Sequence, residues 1–444
     1  MSMTHDESST YCHLIGKNIF PHLFDPNAWG NANNHWLNTL SIQVFTNMFG
    51  PHEWAIRLFN VLAFGAYAFF TIRLLLEMEN KYLQMAAFLF MAANPYLLDF
   101  FSTARGYGLS LAFTNAALYF GTKFIKSDEI SQLIWCLTLL LLATLSLFSS
   151  VIFFPAMIGG IFMIYMWMKW VNKKALIRPM GIIIVFATIT AALTIIPIRS
   201  LSRSEEFKWG AQSMLECFNS LVTHSSYSKA YAPNGIFLVG FLTCLLVFAF
   251  IKIGAQVLNR DFIIKRRTLV TSCITFLLLL VIMFMARHLS DTFYPIDRKT
   301  VMFLPFLGLI SFGAMDLVSN RRIKTAMGTM IAVLLAFHFI LSVNFHSVRE
   351  WWYDENTKEF AHRVMQDTKQ PPSLGCHWMF HPTLTFYNQT LYDNKLKIHE
   401  YNKEIDTMQV YDYFICFDSD VEKLKPKYNA LYRIPEGRII LKRK

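Results

Sequence analysis

The chain has 444 residues, of which 54% are hydrophobic and only 16% are charged, and 41 of them are phenylalanines. A soluble domain of this length rarely has this balance, whereas a protein with many membrane-spanning helices does. The net charge of +11 fits basic loops at the cytoplasmic face of a membrane and does not indicate nucleic-acid binding. The seven cysteines show no CxxC or zinc-ligand spacing, which argues against a metal framework.

The first 53 residues precede the apolar spans and are predicted to form an extracytoplasmic first loop. The acidic pair Asp6–Glu7 lies near the start of this segment. Runs 13–24 and 34–50 have apolar residues at helical spacing, so they predict helices lying in the membrane interface. The acidic pair has a simpler alternative, since Asp is common at the N-cap of a helix.

Ten apolar segments follow, each close to the roughly 20 residues that a helix needs to cross a bilayer. They are 54–76, 82–101, 106–124, 131–148, 150–168, 179–198, 234–252, 268–286, 299–317 and 325–343. The stretch 131–168 is interpreted as a hairpin that turns near Ser149–Ser150. The alternative is one long tilted helix, which would reverse the orientation of everything after it.

Lysine and arginine are concentrated in alternate loops, and cytoplasmic loops are the ones that collect these residues. The basic loops contain Lys81, Lys123, Lys126, Lys169, Lys173, Lys174, Arg178, Arg260, Lys265, Arg266, Arg267, Arg321, Arg322 and Lys324. This pattern predicts that both termini are extracytoplasmic. Residues 1–53 would then cross the membrane with no apolar segment before them, so we expect a further helix upstream of Met1.

From Asn344 onward the apolar spans stop, and residues 344–444 are predicted to form a soluble extracytoplasmic α/β domain after the 54–343 bundle. Segment 354–367 is amphipathic, and the runs SLGC, LKIHEY, VYDYFICF, NALYRI and RIILK are typical of short strands. Helices are expected near 381–389 and 419–425. Cys376 and Cys416 lie in this domain and are candidates for a disulfide if it is extracytoplasmic.

The predicted outer edge of the bundle collects residues that suit transfer from a phosphate-linked donor. A carboxylate can remove a proton from an acceptor hydroxyl, while arginines stabilise the departing phosphate two oxygens at a time. The candidates are Asp6, Glu7, His35, Arg57, Asp99, Arg105 and Arg298. Each also has a structural alternative: anchoring at the interface for the arginines and His35, and pairing with Arg105 for Asp99. Asp297 is interpreted as a solvated loop charge.

Five stretches, in this order, resemble the GT-C membrane glycosyltransferases. They are HDESSTY, NNHWLNTL, EWAIRLFNVLAF, NPYLLDFFSTARGYGLSLAF and YPIDRKTVMFLPFLGL. The likeness is to the protein O-mannosyltransferase and aminoarabinose-transferase-like group, and it covers about residues 5–345. It implies a GT-C type polytopic helical protein of the bacterial inner membrane. Its donor would be a polyprenyl-phosphate-sugar, its acceptor a glycan, lipid or protein, and its transfer would be inverting, on the extracytoplasmic face.

In that family an acidic residue of the first outer loop is the catalytic base, which corresponds to Asp6 here. Glu7 would assist by orienting the acceptor or by holding a divalent cation, and no other cofactor is implied. The resemblance assigns phosphate or substrate contacts to Arg57, Asp99, Arg105, Tyr107 and Arg298, and to His35. The family has paired prolines after the residue at the position of His35, where this chain has Trp36–Leu37.

Two other classes of protein fit part of the pattern. The first is a flippase or transporter for lipid-linked glycans, which would place charges or broken helices at mid-membrane depth. Here the spans are interrupted only at Pro95, Pro155 and Gly159–Gly160, and no carboxylate lies deep within a span. The second is an inactive scaffold, which the change to Trp36–Leu37 and the missing first helix would favour.

Overall fold

The computed structural model describes residues 1–15, 35–203, 208–227, 235–256, 258–402, 405, 409–434 and 437–444. The predicted helix 13–24 lies mostly outside these residues. The chain divides into two compact units: the first falls within Met1–Lys17, Thr39–Arg57 and Asn344–Lys444, and the second within Asn18–Asn38 and Leu58–Val343. The acidic segment at the N-terminus and the C-terminal domain therefore belong to the same unit.

Fifteen helices precede the C-terminal segment in the described part of the chain. They are α1 (His5–Leu14), α2 (Trp36–Phe49), α3 (Glu53–Leu75), α4 (Lys81–Ala92), α5 (Pro95–Ser102), α6 (Tyr107–Ser127), α7 (Ile130–Ser146), α8 (Phe153–Met168), α9 (Lys174–Arg203), α10 (Met214–Ser225), α11 (Gly235–Gly254), α12 (Arg260–Lys265), α13 (Arg267–Ser290), α14 (Leu304–Met315) and α15 (Arg321–Ser342). Three 3₁₀ helices accompany them: Phe148–Ile152, Asp297–Phe303 and Arg349–Asp354.

Helices occupy all ten predicted spans. Among the described residues, seven helices are long and apolar enough to cross a membrane, and α4 with α5 makes an eighth across a bend of 50°. Helix α7 is apolar but has only 17 residues, and α6 is not among the seven. The prediction of a polytopic helical membrane protein with a small α/β domain is confirmed, with fewer clear spans than the ten expected.

Two breaks in the helical spans are explained by local backbone structure. Pro95 has no N–H to donate, and the Asn94 side chain caps the new helix by accepting from the backbone N–H groups of Tyr96 and Leu97 at 3.0 and 3.3 Å. Leu147 is extended, with φ −154° and ψ 107°, so α7 ends there. The single long helix considered for 131–168 is therefore excluded.

Buried ion pairs join three loops at one end of the second unit. The Asp316 carboxylate accepts from Arg266 Nη1 at 2.6 Å and from the backbone N–H groups of Glu79 and Asn80 at 2.8 and 3.1 Å. Lys324 Nζ donates to the Asp316 carbonyl at 3.0 Å. Arg266 and Lys324 were both predicted to lie on one side of the membrane, and the structure brings them to one end of the bundle. That this end is cytoplasmic stays a prediction.

The C-terminal segment forms the predicted α/β domain. Its elements are α16 (Thr357–Asp367), β1 (Ser373–His377), α17 (His381–Leu391), β2 (Lys397–Tyr401), β3 (Tyr413–Phe417), α18 (Asp418–Leu424), β4 (Tyr428–Ile434) and β5 (Arg438–Arg443). The strand order is β2-β1-β3-β5-β4, with β1 parallel to both neighbours and β5 antiparallel to both of its own. A cluster of buried side chains from β3, α18, β4 and β5 lies in its core.

The candidate disulfide between Cys376 and Cys416 is not formed, and both thiols are free and buried. Cys376 is paired with Ile415 in the register of β1 and β3. Side chains alternate between the two faces of a sheet, so Cys416 lies on the face opposite Cys376. The register therefore rules out this bridge, which composition alone could not do.

Candidate active site

The acidic pair lies in the first turn of α1, and Thr4 is the residue that caps this helix. Thr4 Oγ1 accepts from the Glu7 backbone N–H at 3.3 Å, and Glu7 Oε2 accepts from the Thr4 backbone N–H at 2.9 Å. This reciprocal pair is the capping box expected of a Thr-x-x-Glu sequence. Asp6 is not the N-cap that was considered from the sequence, and its buried side chain, 6% exposed, follows the cap by two residues.

Glu7 and Arg57, both predicted site residues, form a buried two-pronged ion pair. Arg57 Nε donates to Glu7 Oε1 at 2.8 Å and Nη2 donates to Oε2 at 2.7 Å, and Glu7 is fully buried. Arg57 also donates to the carbonyls of Met1 and Ser2 at 3.3 and 2.8 Å. The guanidinium therefore balances the charge of Glu7, and a divalent cation near Asp6 and Glu7 stays a prediction.

The C-terminal domain holds the start of α1 through polar contacts that the sequence did not reveal. Asp354 Oδ2 accepts from the His5 backbone N–H at 2.6 Å and so satisfies one of the free donors in the first turn of the helix. The Tyr387 hydroxyl accepts from the Met3 backbone N–H at 2.8 Å and donates to Glu53 Oε1 at 2.5 Å. Burial raises the pKa of Asp354 well above its usual value. These contacts place Asp6 at a defined position beside the domain.

Replacing Asp354 with Asn is expected to remove a pH dependence of stability. The pKa of Asp354 is raised above its ordinary 3.8, so the folded chain keeps a proton that the unfolded chain releases. Its contribution is complete below pH 3.8 and is lost as the pH rises through the raised pKa of the folded state. Asn keeps an oxygen for the His5 N–H but cannot titrate. Thermal unfolding of both purified proteins between acidic and neutral pH would show this, and equal slopes would contradict it.

In the second unit, Asp99 is held by a tyrosine from a distant segment. The Tyr227 hydroxyl lies 3.0 Å from Asp99 Oδ1 and 2.9 Å from Oδ2. The Asp99 backbone carbonyl accepts from the Thr103 hydroxyl at 2.9 Å. These contacts fix the end of α5 directly before the stretch that contains Arg105. Tyr227 is a residue that the sequence analysis missed, since nothing near it in the sequence marks it.

Arg105 and Tyr107 flank a glycine that the backbone requires. Gly106 has φ +76°, and a Cβ there would lie 2.1 Å from the Ser146 carbonyl oxygen, so only glycine fits. The Arg105 side chain is 2% exposed. Asn38 Nδ2 donates to the neighbouring Ala104 carbonyl at 2.8 Å. The backbone that leads into α6 at Tyr107 is therefore constrained by close packing.

His35 lies at the start of α2 and is buried, 6% exposed. Its ring meets the Tyr107 ring edge to face, with centroids 6.3 Å apart. The structure therefore brings together two of the residues that the resemblance assigned to substrate binding. A role of His35 in phosphate binding stays a prediction.

Arg298 is half-buried in the 3₁₀ helix Asp297–Phe303, where its neighbour Asp297 has structural partners. Asp297 Oδ1 accepts from the Ser220 hydroxyl at 3.0 Å and lies 3.6 Å from His224 Nε2. These contacts come from α10, and Asp297 is therefore not the fully solvated loop charge expected from the sequence. Arg298 is thus held on an anchored segment.

No protein-family model matches the chain, and no curated protein matches it. Among solved structures, the chain is similar to the crystal structure of ArnT from Cupriavidus metallidurans in the apo state. The TM-score is 0.49 and the sequence identity 11%, over 99% of this chain and 94% of that chain.

The predicted site residues thus fall into two groups. Asp6, Glu7 and Arg57 belong to the first unit, where Glu7 and Arg57 are in contact. The second unit contains the remaining predicted residues, which are His35, Asp99, Arg105, Tyr107 and Arg298. The residues that sequence reasoning missed hold the segments that carry the predicted ones: Glu53, Asp354 and Tyr387 in the first unit, and Ser220, His224 and Tyr227 in the second.

Proposed function

We propose that the chain is a membrane glycosyltransferase of the GT-C type, acting on the extracytoplasmic face of the bacterial inner membrane. It moves a sugar from a polyprenyl-phosphate donor to an acceptor hydroxyl on a glycan, lipid or protein. A single displacement at the anomeric carbon inverts its configuration. The proposal starts from the sequence resemblance, and the helical, apolar bundle of the second unit suits a lipid-linked donor.

The observation that supports the proposal concerns Glu7, the second acid of the pair. Both Glu7 oxygens are engaged, by Arg57 and by the Thr4 N–H. Glu7 is therefore committed to holding α1, and the role of base falls to Asp6. The Asp6 carboxylate lies in a buried turn that contacts from distant segments hold in place. A carboxylate held in this way suits proton removal from a hydroxyl, because catalysis requires a defined orientation.

The phosphate of the donor is proposed to be bound by arginines of the predicted site, because guanidinium groups pair well with phosphate oxygens. Arg57 makes four hydrogen bonds to Glu7 and to backbone carbonyls, so its role in this proposal is to support α1. Arg105 and Arg298 remain the proposed phosphate ligands, because the planar guanidinium fork matches phosphate oxygens. Tyr107 and His35 are proposed to contact the substrate beside them.

Removal of the gene tests the proposal against the flippase alternative. A missing transferase leaves the polyprenyl-phosphate-sugar in excess, and mass spectrometry of the cell envelope shows an acceptor lighter by one sugar. A missing flippase instead removes the whole glycan and leaves a lipid-linked oligosaccharide on the cytoplasmic side. An unchanged envelope, with no transfer by the purified chain from lipid-phosphate sugars, would overturn the proposed activity.

A further inference from the structure

A cleft of about 510 Å³ opens in the first unit, outside the acidic pair. It is lined by the start of α3 at Glu53, by α16 and the residues before it, and by Leu391 and Tyr392 at the end of α17. Cavities of a few hundred Å³ hold ligands of the size of one or two sugar rings. The proposed activity, as described so far, gives this cleft no role.

The charges of the cleft are balanced within the protein. Each of its three carboxylates has a cation of its own: Glu53 with Lys358 at 3.2 Å, Glu355 with Arg438 at 3.4 Å, and Glu359 with Arg363 at 2.6 Å. A cleft without excess charge does not select a phosphate or a cationic ligand. The paired carboxylates still have lone pairs that can accept hydrogen bonds from hydroxyl groups.

The other residues that line the cleft offer ring faces and side chains that can both donate and accept hydrogen bonds. Asn356 and His362 line the cleft beside the phenol ring of Tyr392 and the apolar side chain of Leu391. An amide offers both donors and an acceptor, and an aromatic ring offers a flat apolar surface. This combination matches a pyranose, which has apolar C–H faces and a rim of hydroxyls.

The cleft adjoins the residues that hold the acidic helix. Ser2 lines it, donates through its hydroxyl to the Glu355 carbonyl at 2.7 Å, and accepts at its own carbonyl from Arg57 at 2.8 Å. Glu53, another lining residue, accepts a hydrogen bond from the Tyr387 hydroxyl. A ligand in the cleft is therefore one layer of residues away from the Glu7–Arg57 pair.

We infer that this cleft binds a neutral saccharide, which under the proposed function is part of the acceptor. The binding itself does not depend on transfer, because it needs neither the donor nor Asp6. Its residues suit hydroxyls and a ring face, and its paired charges do not favour the phosphate of the lipid donor.

Saturation-transfer NMR on the purified full chain in nanodiscs, without donor, tests this inference. The probes are the neutral tetrasaccharides of glucose, mannose and N-acetylglucosamine, with glucose 6-phosphate as the anionic and glucosamine as the cationic comparator. At least one neutral tetrasaccharide is expected to bind. Tyr392→Ala and Asn356→Ala should each weaken its affinity about tenfold, as expected for the loss of one good contact. The Asn356 side chain makes no capping hydrogen bond to the backbone of α16, and its amide has only a long contact of 3.5 Å to Glu359 Oε2.

Lys369→Ala, an exposed residue outside the cleft, is the matched control and should bind like the wild type. Asp6→Asn should also bind like the wild type, even though it is expected to lose transfer. The inference is overturned if no neutral tetrasaccharide binds, if only a charged comparator binds, or if both cleft variants bind like the wild type. Binding without any transfer would instead overturn the proposed activity alone.

Discussion

Replacing Asp6 with Asn is expected to slow sugar transfer by about 10²–10⁴-fold, the usual effect of removing a general base. The substitution keeps the shape of the side chain and removes its ability to take a proton. Its cost to stability should stay below about 1 kcal/mol, the value of one carboxylate near a helix N-terminus. Transfer from a polyprenyl-phosphate-sugar by the purified variant, measured together with its thermal unfolding, gives both quantities.

Glu7→Gln is the matched control for this experiment, because it changes the adjacent acid in the same conservative way. Glu7 is fully buried against Arg57, so this variant should lose stability first and activity only in proportion to the folded fraction. Full transfer by Asp6→Asn, or an equal loss of rate per folded molecule in both variants, would remove Asp6 from the role of base.

Arg57→Ala is expected to destabilise the protein by about 3–5 kcal/mol, the cost of leaving one member of a buried ion pair alone. The variant leaves Glu7 without the Nε and Nη2 donors that contact it at 2.8 and 2.7 Å, and it also frees the carbonyls of Met1 and Ser2. A buried carboxylate without a partner is costly because its desolvation is not compensated. Thermal and denaturant unfolding of the full chain in detergent would measure the loss.

Arg73→Ala is the control, since Arg73 lies on the same helix, is exposed, and donates to the Tyr119 hydroxyl at 3.3 Å instead of to a buried carboxylate. It should change stability by less than about 1 kcal/mol. The double variant Glu7→Gln with Arg57→Met should be more stable than Arg57→Ala, because both charges are then absent. A double variant as unstable as the sum of Glu7→Gln and Arg57→Met, each measured singly, would show that the pair is not coupled.

The two expected results separate roles that the sequence resemblance had combined. From the resemblance, Arg57 was a phosphate ligand and Glu7 an assistant of the base. In the structure Arg57 donates two hydrogen bonds to the Glu7 carboxylate. In our proposal both are therefore positioning residues for α1. Loss of stability with normal transfer per folded molecule is the signature of such a role, whereas a phosphate ligand would raise the KM for the donor.

Composition and local sequence were sufficient for the class of protein and for most elements. Apolar segments of sufficient length predicted the helices, alternation and turn residues predicted the C-terminal strands, and Asn94–Pro95 predicted the break between α4 and α5. These features depend on neighbours in sequence, namely hydrogen bonds within a helix and the missing N–H of proline. The Thr4-x-x-Glu7 capping box is also a local signal, although the sequence analysis had considered Asp6 as the cap.

Only the tertiary structure decided which group each charged residue pairs with. Glu7 pairs with Arg57 across 50 positions, Asp99 with Tyr227 across 128, and the His5 N–H with Asp354 across 349. No periodicity in the sequence encodes such pairs, because they form only when packed elements bring distant segments within hydrogen-bond distance. A buried charge is costly without a partner, so of two adjacent carboxylates Glu7 is a structural partner of Arg57, whereas Asp6 is the proposed catalyst.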